Sequence, residues 1–217
     1  MLDVVILIAM PELTQEDFNS LLPLVSSEKQ DRIKRFHFFR DAQNCLLGDI
    51  LSRFEICRAT GISNRQLEFS VNAYGKPFLV DSHHVHFNIS HAGSYIACAI
   101  SDEPVGIDIE LIKSVNIKIA ERFFTPNETA YIKSDSQSLR FCEVWTKKES
   151  HIKLEGKGLH KSLSSFSVFD TDTQGYHTYH KAFENNAAIC HICSAKSNTP
   201  SVKIINTEMF IQSSFSL

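Results

Sequence analysis

Two long amphipathic helices, each set among short strand-like runs in the same order, restrict more than any other feature what this 217-residue chain can fold into. In the first, Leu46, Leu47, Ile50, Leu51, Phe54 and Cys57 recur at helical spacing and Gly61 supplies a stop, which predicts a helix from about Arg40 to Ala59. Before it, the apolar run Val4–Met10 reads as a buried strand, Thr14 can cap a short helix, and Ser27 with Gln30 makes a capping box opening a basic helix through Arg35. After it, the period becomes that of strands at Leu67–Val71, Val85–Ile89 and Tyr95–Ile100, separated by the turn-rich Asn72–Lys76 and Ala92–Ser94.

The second half repeats this order. A strand at Val105–Leu111 and a helix near Ile117–Phe124 lead to Thr125-Pro126-Asn127-Glu128, a capping box with proline at the first helical position. A long helix over about Ser138–Leu154 follows, then strand-like runs near Phe166–Phe169, Tyr176–Ala182, Ala188–Cys193 and Val202–Ile205. Residue identity between the halves is too low to make a sequence repeat. The shared order predicts an α+β fold of two similar lobes related by pseudo-twofold symmetry, each a small, mainly antiparallel sheet against a long helix. The N-terminal lobe takes residues 1–102 and the C-terminal lobe residues 103–217, with a ligand cleft between them.

Bulk properties narrow the function classes. Sixteen Phe against one Trp point to a dry aromatic core, and a net charge of −3 argues against a general nucleic-acid or membrane-surface binder, which needs a basic footprint. The run Val4–Met10 is too short for a signal peptide or a membrane span. Six scattered cysteines fit free thiols in a reducing cytoplasm.

In Val105-Gly106-Ile107-Asp108-Ile109-Glu110, strand alternation places Asp108 and Glu110 on one face and Ile107 and Ile109 on the other. Two carboxylates so placed repel unless a cation lies between them, and such hard oxygen donors suit Mg²⁺; the competing reading is an edge strand with a solvated acidic face. On the second long helix, Glu149 shares a stripe with Cys142, Trp145 and Ile152, and needs either a metal or a basic neighbour such as Lys153 one turn on. Lysines gather at Lys147, Lys148, Lys153, Lys157 and Lys161, and Gly156-Lys157-Gly158 frees the backbone for close approach to a ligand. The turn after Asn88-Ile89-Ser90-His91 offers a phosphate contact, whereas adjacent Ser90 and His91 point oppositely and make no nucleophile pair. Cys190 and Cys193 face opposite sides of a strand, and His83, His84 and His86 lie in a polar loop; neither group reads as a functional metal site.

Taken together, Phe87-Asn88-Ile89-Ser90-His91, Gly106-Ile107-Asp108-Ile109-Glu110 and Trp145-Thr146-Lys147-Lys148-Glu149-Ser150 followed by Lys153 resemble the signature set of 4′-phosphopantetheinyl transferases, in the surfactin-synthetase-activating subfamily. The similarity extends to Phe36, Asp41-Ala42, Leu46-Leu47-Gly48-Asp49, Tyr74-Gly75-Lys76-Pro77 and Gly156-Lys157-Gly158-Leu159.

The resemblance implies a cytoplasmic, pseudo-twofold monomer. It would transfer the phosphopantetheine arm of coenzyme A to a serine of apo carrier-protein domains of peptide, polyketide or fatty acid synthases, releasing adenosine 3′,5′-bisphosphate. It implies Asp108, Glu110 and Glu149 as ligands of Mg²⁺, or of Mn²⁺ in its place. Glu149, or a water it holds, would take the serine proton, and Lys153 would face the pyrophosphate. Lys29, Arg32 and His91 would meet the 3′-phosphate, Lys76 and Ser90 the nucleotide end, and Lys148 and Lys157 belong to the same cofactor-binding set. Asn44-Cys45 stands where relatives carry a basic residue and a hydroxyl, which shifts that subsite toward backbone amides. Phe123 and Phe124 are the expected carrier-docking residues. Two other readings are a non-catalytic module binding carrier protein or coenzyme A, and a coenzyme A phosphoanhydride hydrolase. Neither membrane nor nucleic acid is an expected partner.

Overall fold

In a computed structural model that describes residues 1–81, 84–158, 161–170, 176–183 and 187–214, two sheets lie face to face between two long helices. His83 and Leu159 lie outside the described residues. The first strand, β1 (Leu2–Ile8), is apolar at almost every position because both its faces are covered. Val5 and Leu7 point toward helix α3 (Phe39–Thr60), while Leu2, Val4 and Ile6 pack against the other sheet.

The first sheet runs β4 (His86–Ala92), β5 (Tyr95–Ser101), β1 and β9 (Ser201–Asn206), antiparallel except for the β1–β9 pair. A hairpin of β2 (Phe69–Val71) and β3 (Pro77–Leu79) stands beside it. The second sheet runs β6 (Val105–Leu111), β8 (Ala188–Ser194) and β7 (His177–Ala182), all antiparallel. Its outer face is covered by α6 (Gln137–Glu155). Smaller helices α1 (Gln15–Leu21), α2 (Ser27–Ile33), α4 (Lys118–Phe123), α5 (Pro126–Ser134) and α7 (Thr207–Ser214) close the edges. Helix α3 ends as its sequence predicts, with Gly61 in the left-handed region at φ +72°.

The structure departs from the sequence expectations at several points, among them the strand β3 and the helix α7, which those expectations do not include. The C-terminal lobe does not keep the whole of 103–217: β9 returns to pair with the free edge of β1, and Ile205 and Phe210 are buried in the core beneath α3. An open edge on β1 would leave a row of backbone groups unpaired, and β9 covers it. The N-cap of α2 is Ser26, whose side chain accepts from Lys29 N, and Gln30 bonds instead to Val25 O. Residues 166–169 form no strand; Phe166 and Val168 are buried, and their apolar character serves packing beside α6.

Candidate active site

Within this face-to-face packing the edge strands β4 and β6 lie against each other and form a seam. At a bare edge the amides of β6 would lack partners. Side chains of β4 supply them: Asn88 Oδ1 accepts from Ile107 N at 2.8 Å and Ser90 Oγ accepts from Ile109 N at 3.3 Å. Ser90 Oγ also donates to Asp108 Oδ1 at 2.9 Å and accepts from Lys153 Nζ at 2.9 Å. One donor and two acceptor positions are thereby all used. Ser90 is thus committed to organising the acidic group, which corrects its expected nucleotide contact.

Strand alternation buries Ile107 and Ile109 between the sheets and turns Gly106, Asp108 and Glu110 toward α6. Lys153 Nζ lies 2.7 Å from Asp108 Oδ1 and so bridges α6 to β6 instead of pairing along its own helix with Glu149. Burial raises the carboxyl pKa of Asp108, Glu110 and Glu149; for the last two the Asp108 charge adds to it, while Lys153 opposes the rise at all three. Asp108 Oδ2 and Glu149 Oε1 are buried with no hydrogen-bond partner among the described residues. Orphaned carboxylate oxygens of this kind are costly, and they have the donor chemistry of a hard divalent cation. Among the described residues no three or more His, Cys, Asp or Glu side chains are gathered closely enough to ligate one ion as they stand. In donor chemistry, though not as a ready-made shell, these hard carboxylate oxygens suit Mg²⁺ or Mn²⁺.

Beside the seam lies a cavity of about 650 Å³ lined by Lys29, Arg32, Arg35, Asp49, Arg53 and, from β4, Phe87 and Ile89. The same strand therefore serves the basic cavity and, through Ser90, the acidic group. Asp49 tethers Lys29 at 3.0 Å and Arg53 at 2.5 Å. His91 reaches solvent at the end of β4; partial burial and then the Lys153 charge push its pKa down. Asn44 is buried and donates to Gly93 O at 2.9 Å, and Cys45 is half-buried. Lys157 is exposed and sits 3.5 Å from Glu155 Oε2.

Two further assignments change. Lys76 sends its ammonium to Val105 O at 3.1 Å and Leu154 O at 3.2 Å, not into the basic cavity. Lys148 is completely buried and pairs with the equally buried Glu128 at 2.9 Å, donating also to Leu163 O and Phe166 O. Its charge is already met within the core, so it offers nothing to a phosphate. Of the expected docking pair, Phe123 is exposed but Phe124 is buried and stacks on Phe141.

Gly106 is the site residue that sequence reasoning passed over. A Cβ there would lie 1.9 Å from Ser150 O and 2.4 Å from Leu154 N, so α6 packs directly on the backbone of β6. A small residue two positions before the first carboxylate, on the same face, was the available signal. Gly106→Ala must lift α6 away from β6, separating Glu149 and Lys153 from Asp108 and Glu110. Overpacking should cost about 1–3 kcal/mol. Displacement by about 1 Å should lower kcat/KM by roughly 10²-fold. Denaturant melts and steady-state activity assays measure the two effects separately, and unchanged turnover would contradict the close packing.

The sequence of this chain matches two family models, one described as 4′-phosphopantetheinyl transferase, N-terminal, over residues 11–103, and one as the 4′-phosphopantetheinyl transferase superfamily over residues 104–208. It is 43% identical over 159 residues to 4′-phosphopantetheinyl transferase ffp of Bacillus subtilis, covering 72% of this chain and 71% of that protein. It is also 43% identical over 166 residues to 4′-phosphopantetheinyl transferase gsp of Aneurinibacillus migulanus, covering 75% and 69%. With 4′-phosphopantetheinyl transferase Sfp of Bacillus subtilis strain 168 the identity is 42% over 159 residues, covering 72% and 71%. Matched along both halves by these models and at this identity by these relatives, the chain belongs to the 4′-phosphopantetheinyl transferase family.

Proposed function

We propose that this transferase moves the 4′-phosphopantetheine arm of coenzyme A onto the hydroxyl of a serine in an apo carrier protein and releases adenosine 3′,5′-bisphosphate. The observation that carries the reading is the pairing of a buried acidic group, in which Asp108 Oδ2 and Glu149 Oε1 lack partners, with a basic cavity served by the same strand. Lys29 and Arg32 receive the 3′-phosphate, with His91 at the rim. The pyrophosphate then extends toward Lys153.

Glu149 accepts the serine proton, directly or through a water, as the serine oxygen bonds to the phosphorus bearing the pantetheine arm. The bond from that phosphorus to the bridging oxygen breaks, and the leaving bisphosphate carries the electron pair, stabilised by Lys153. Mg²⁺ or Mn²⁺ held by Asp108, Glu110 and Glu149 would supply neutralisation of the pyrophosphate charge. Placement on α6 beside Asp108 and Lys153 suits Glu149 to the proton acceptor's place. Both halves of the site come from one chain, so a monomer carries a complete site.

Among the described residues no helix is long and apolar enough to cross a membrane. Exposed Phe123 and Ile119 on α4 are apolar candidates for contact with the carrier.

Incubation with coenzyme A, Mg²⁺ and a panel of apo carrier proteins should add the mass of one arm to the serine-bearing carrier, read by intact-protein mass spectrometry. Chelation of the metal should stop the addition. No mass gain on any carrier would sink the transfer reading. Consumption of coenzyme A without an acceptor would favour a phosphoanhydride hydrolase instead.

A further inference from the structure

The turn of the β2–β3 hairpin makes contacts that phosphopantetheine transfer leaves unassigned. Asn72 Oδ1 accepts from Tyr74 N and Lys76 N, both at 2.9 Å, and so rolls the chain into a tight turn closed by a side chain. Gly75 lines the basic cavity, whereas Asn72 and Lys76 line a separate cleft of about 220 Å³. Within that cleft Asn72 Nδ2 donates to Gly156 O at 2.8 Å, and Lys76 Nζ donates to Leu154 O and Val105 O at 3.2 and 3.1 Å.

These acceptors belong to the two elements that carry the acidic group. Leu154 O and Gly156 O lie at the C-terminal end of α6, where carbonyls lack intrahelical donors and a cation is favoured. Val105 opens β6. One lysine of the hairpin therefore touches both the helix of Glu149 and Lys153 and the strand of Asp108 and Glu110. The fit is close, because a Cβ on Gly156 would lie 2.9 Å from Lys76 Cδ and 3.0 Å from Asn72 Nδ2. Burial pushes the Lys76 ammonium down to about 8, which marks how far this contact is withdrawn from water.

We propose that Asn72 and Lys76 are positioning residues, a clasp that fixes the nucleotide-side hairpin against the β6–α6 unit so that a bound coenzyme A presents its pyrophosphate to the acidic group. The kinetic consequence rests on the transfer reading above, and the mechanical one does not. Without the clasp the basic cavity and the acidic group still exist, but their separation is no longer fixed. The loss then falls on turnover rather than on nucleotide affinity.

Two variants of the full chain, Lys76→Met and Asn72→Asp, test this. Aspartate keeps the oxygen acceptor that closes the turn and removes the donor to Gly156 O. In both, hydrogen exchange of residues 69–79 and of the last turn of α6 should rise together. Transfer should show kcat reduced about tenfold, the scale of a small loss of alignment. Inhibition by adenosine 3′,5′-bisphosphate should stay within about twofold of wild type, since Lys29 and Arg32, which receive the 3′-phosphate, stand on α2 and, among the described residues, make no contact with the clasp. Lys76→Arg, which still reaches both carbonyls, should recover part of kcat.

Weakened bisphosphate inhibition with unchanged exchange would make Lys76 a nucleotide contact and overturn the proposal. Raised exchange with normal kcat would overturn the positioning role. If wild type transfers to no carrier, the transfer reading fails by itself, and the exchange measurement still decides the clasp.

Discussion

Replacing Glu149 by glutamine is expected to lower transfer by roughly 10²–10⁴-fold, the range a positioned proton acceptor contributes, while raising the melting temperature of the metal-free protein. The opposite signs follow from one cause. Burial first, and then the Asp108 and Glu110 charges, push the Glu149 carboxyl above the ordinary carboxylate range, and Oε1 has no hydrogen-bond partner. The folded state then binds the Glu149 proton more tightly than the unfolded chain does. Stability is accordingly greatest below the unfolded value and declines as pH rises through it toward the raised folded one. Glutamine removes this titration, so the variant's advantage is present at neutral pH and vanishes below about pH 4.

Mg²⁺ should raise the melting temperature of the wild type by binding only the folded state, and raise that of the variant less. Melting curves from acid to neutral pH, with and without Mg²⁺, read all of this independently of activity. Near-normal turnover, or an equal Mg²⁺ shift in both proteins, would remove Glu149 from the site.

Glu149 was legible in the sequence for the same reason that it is costly in the structure: a carboxylate inside an apolar helical stripe is a local contradiction that something must resolve. Asp108 and Glu110 were legible because strand alternation sorts side chains with no knowledge of partners. The two long helices announced themselves by period, and the structure extends each by only a residue or so at its ends. What stayed hidden depends on contacts between distant segments. The return of β9 to β1 joins segments about 200 residues apart, and an edge in need of cover leaves no mark in local composition. Ser90 reads as a turn hydroxyl until its three partners on β6 and α6 are known. Lys76 and Lys148 sit in runs of basic residues, where charge alone cannot separate a phosphate contact from a cation already matched within the fold.

Lys148 gives the sharpest test of that distinction. Lys148→Met is expected to destabilise the protein by about 3–5 kcal/mol, because it strands a buried carboxylate. In a chain of this length that corresponds to a fall in melting temperature of roughly 10 °C. The ammonium has three donors and three matched acceptors: Glu128 Oε2 at 2.9 Å, and Leu163 O and Phe166 O at 2.6 Å each. It also lies 4.3 Å from the centroid of the Phe166 ring.

Glu128 in turn closes the capping box of α5 by accepting from Thr125 N at 2.9 Å, and ties the following segment by accepting from Val168 N at 2.8 Å. Methionine can fill the volume but cannot neutralise that carboxylate. Adding Glu128→Met to the variant removes the stranded charge but leaves Thr125 N and Val168 N without their acceptor. The double variant should therefore be less unstable than the sum of the two single changes, a coupling that a double-mutant cycle of denaturant melts measures directly. If Lys148→Met instead melts like wild type and raises KM for coenzyme A, Lys148 reaches the phosphates, and the buried pair with Glu128 does not hold α5 to α6 as its geometry requires.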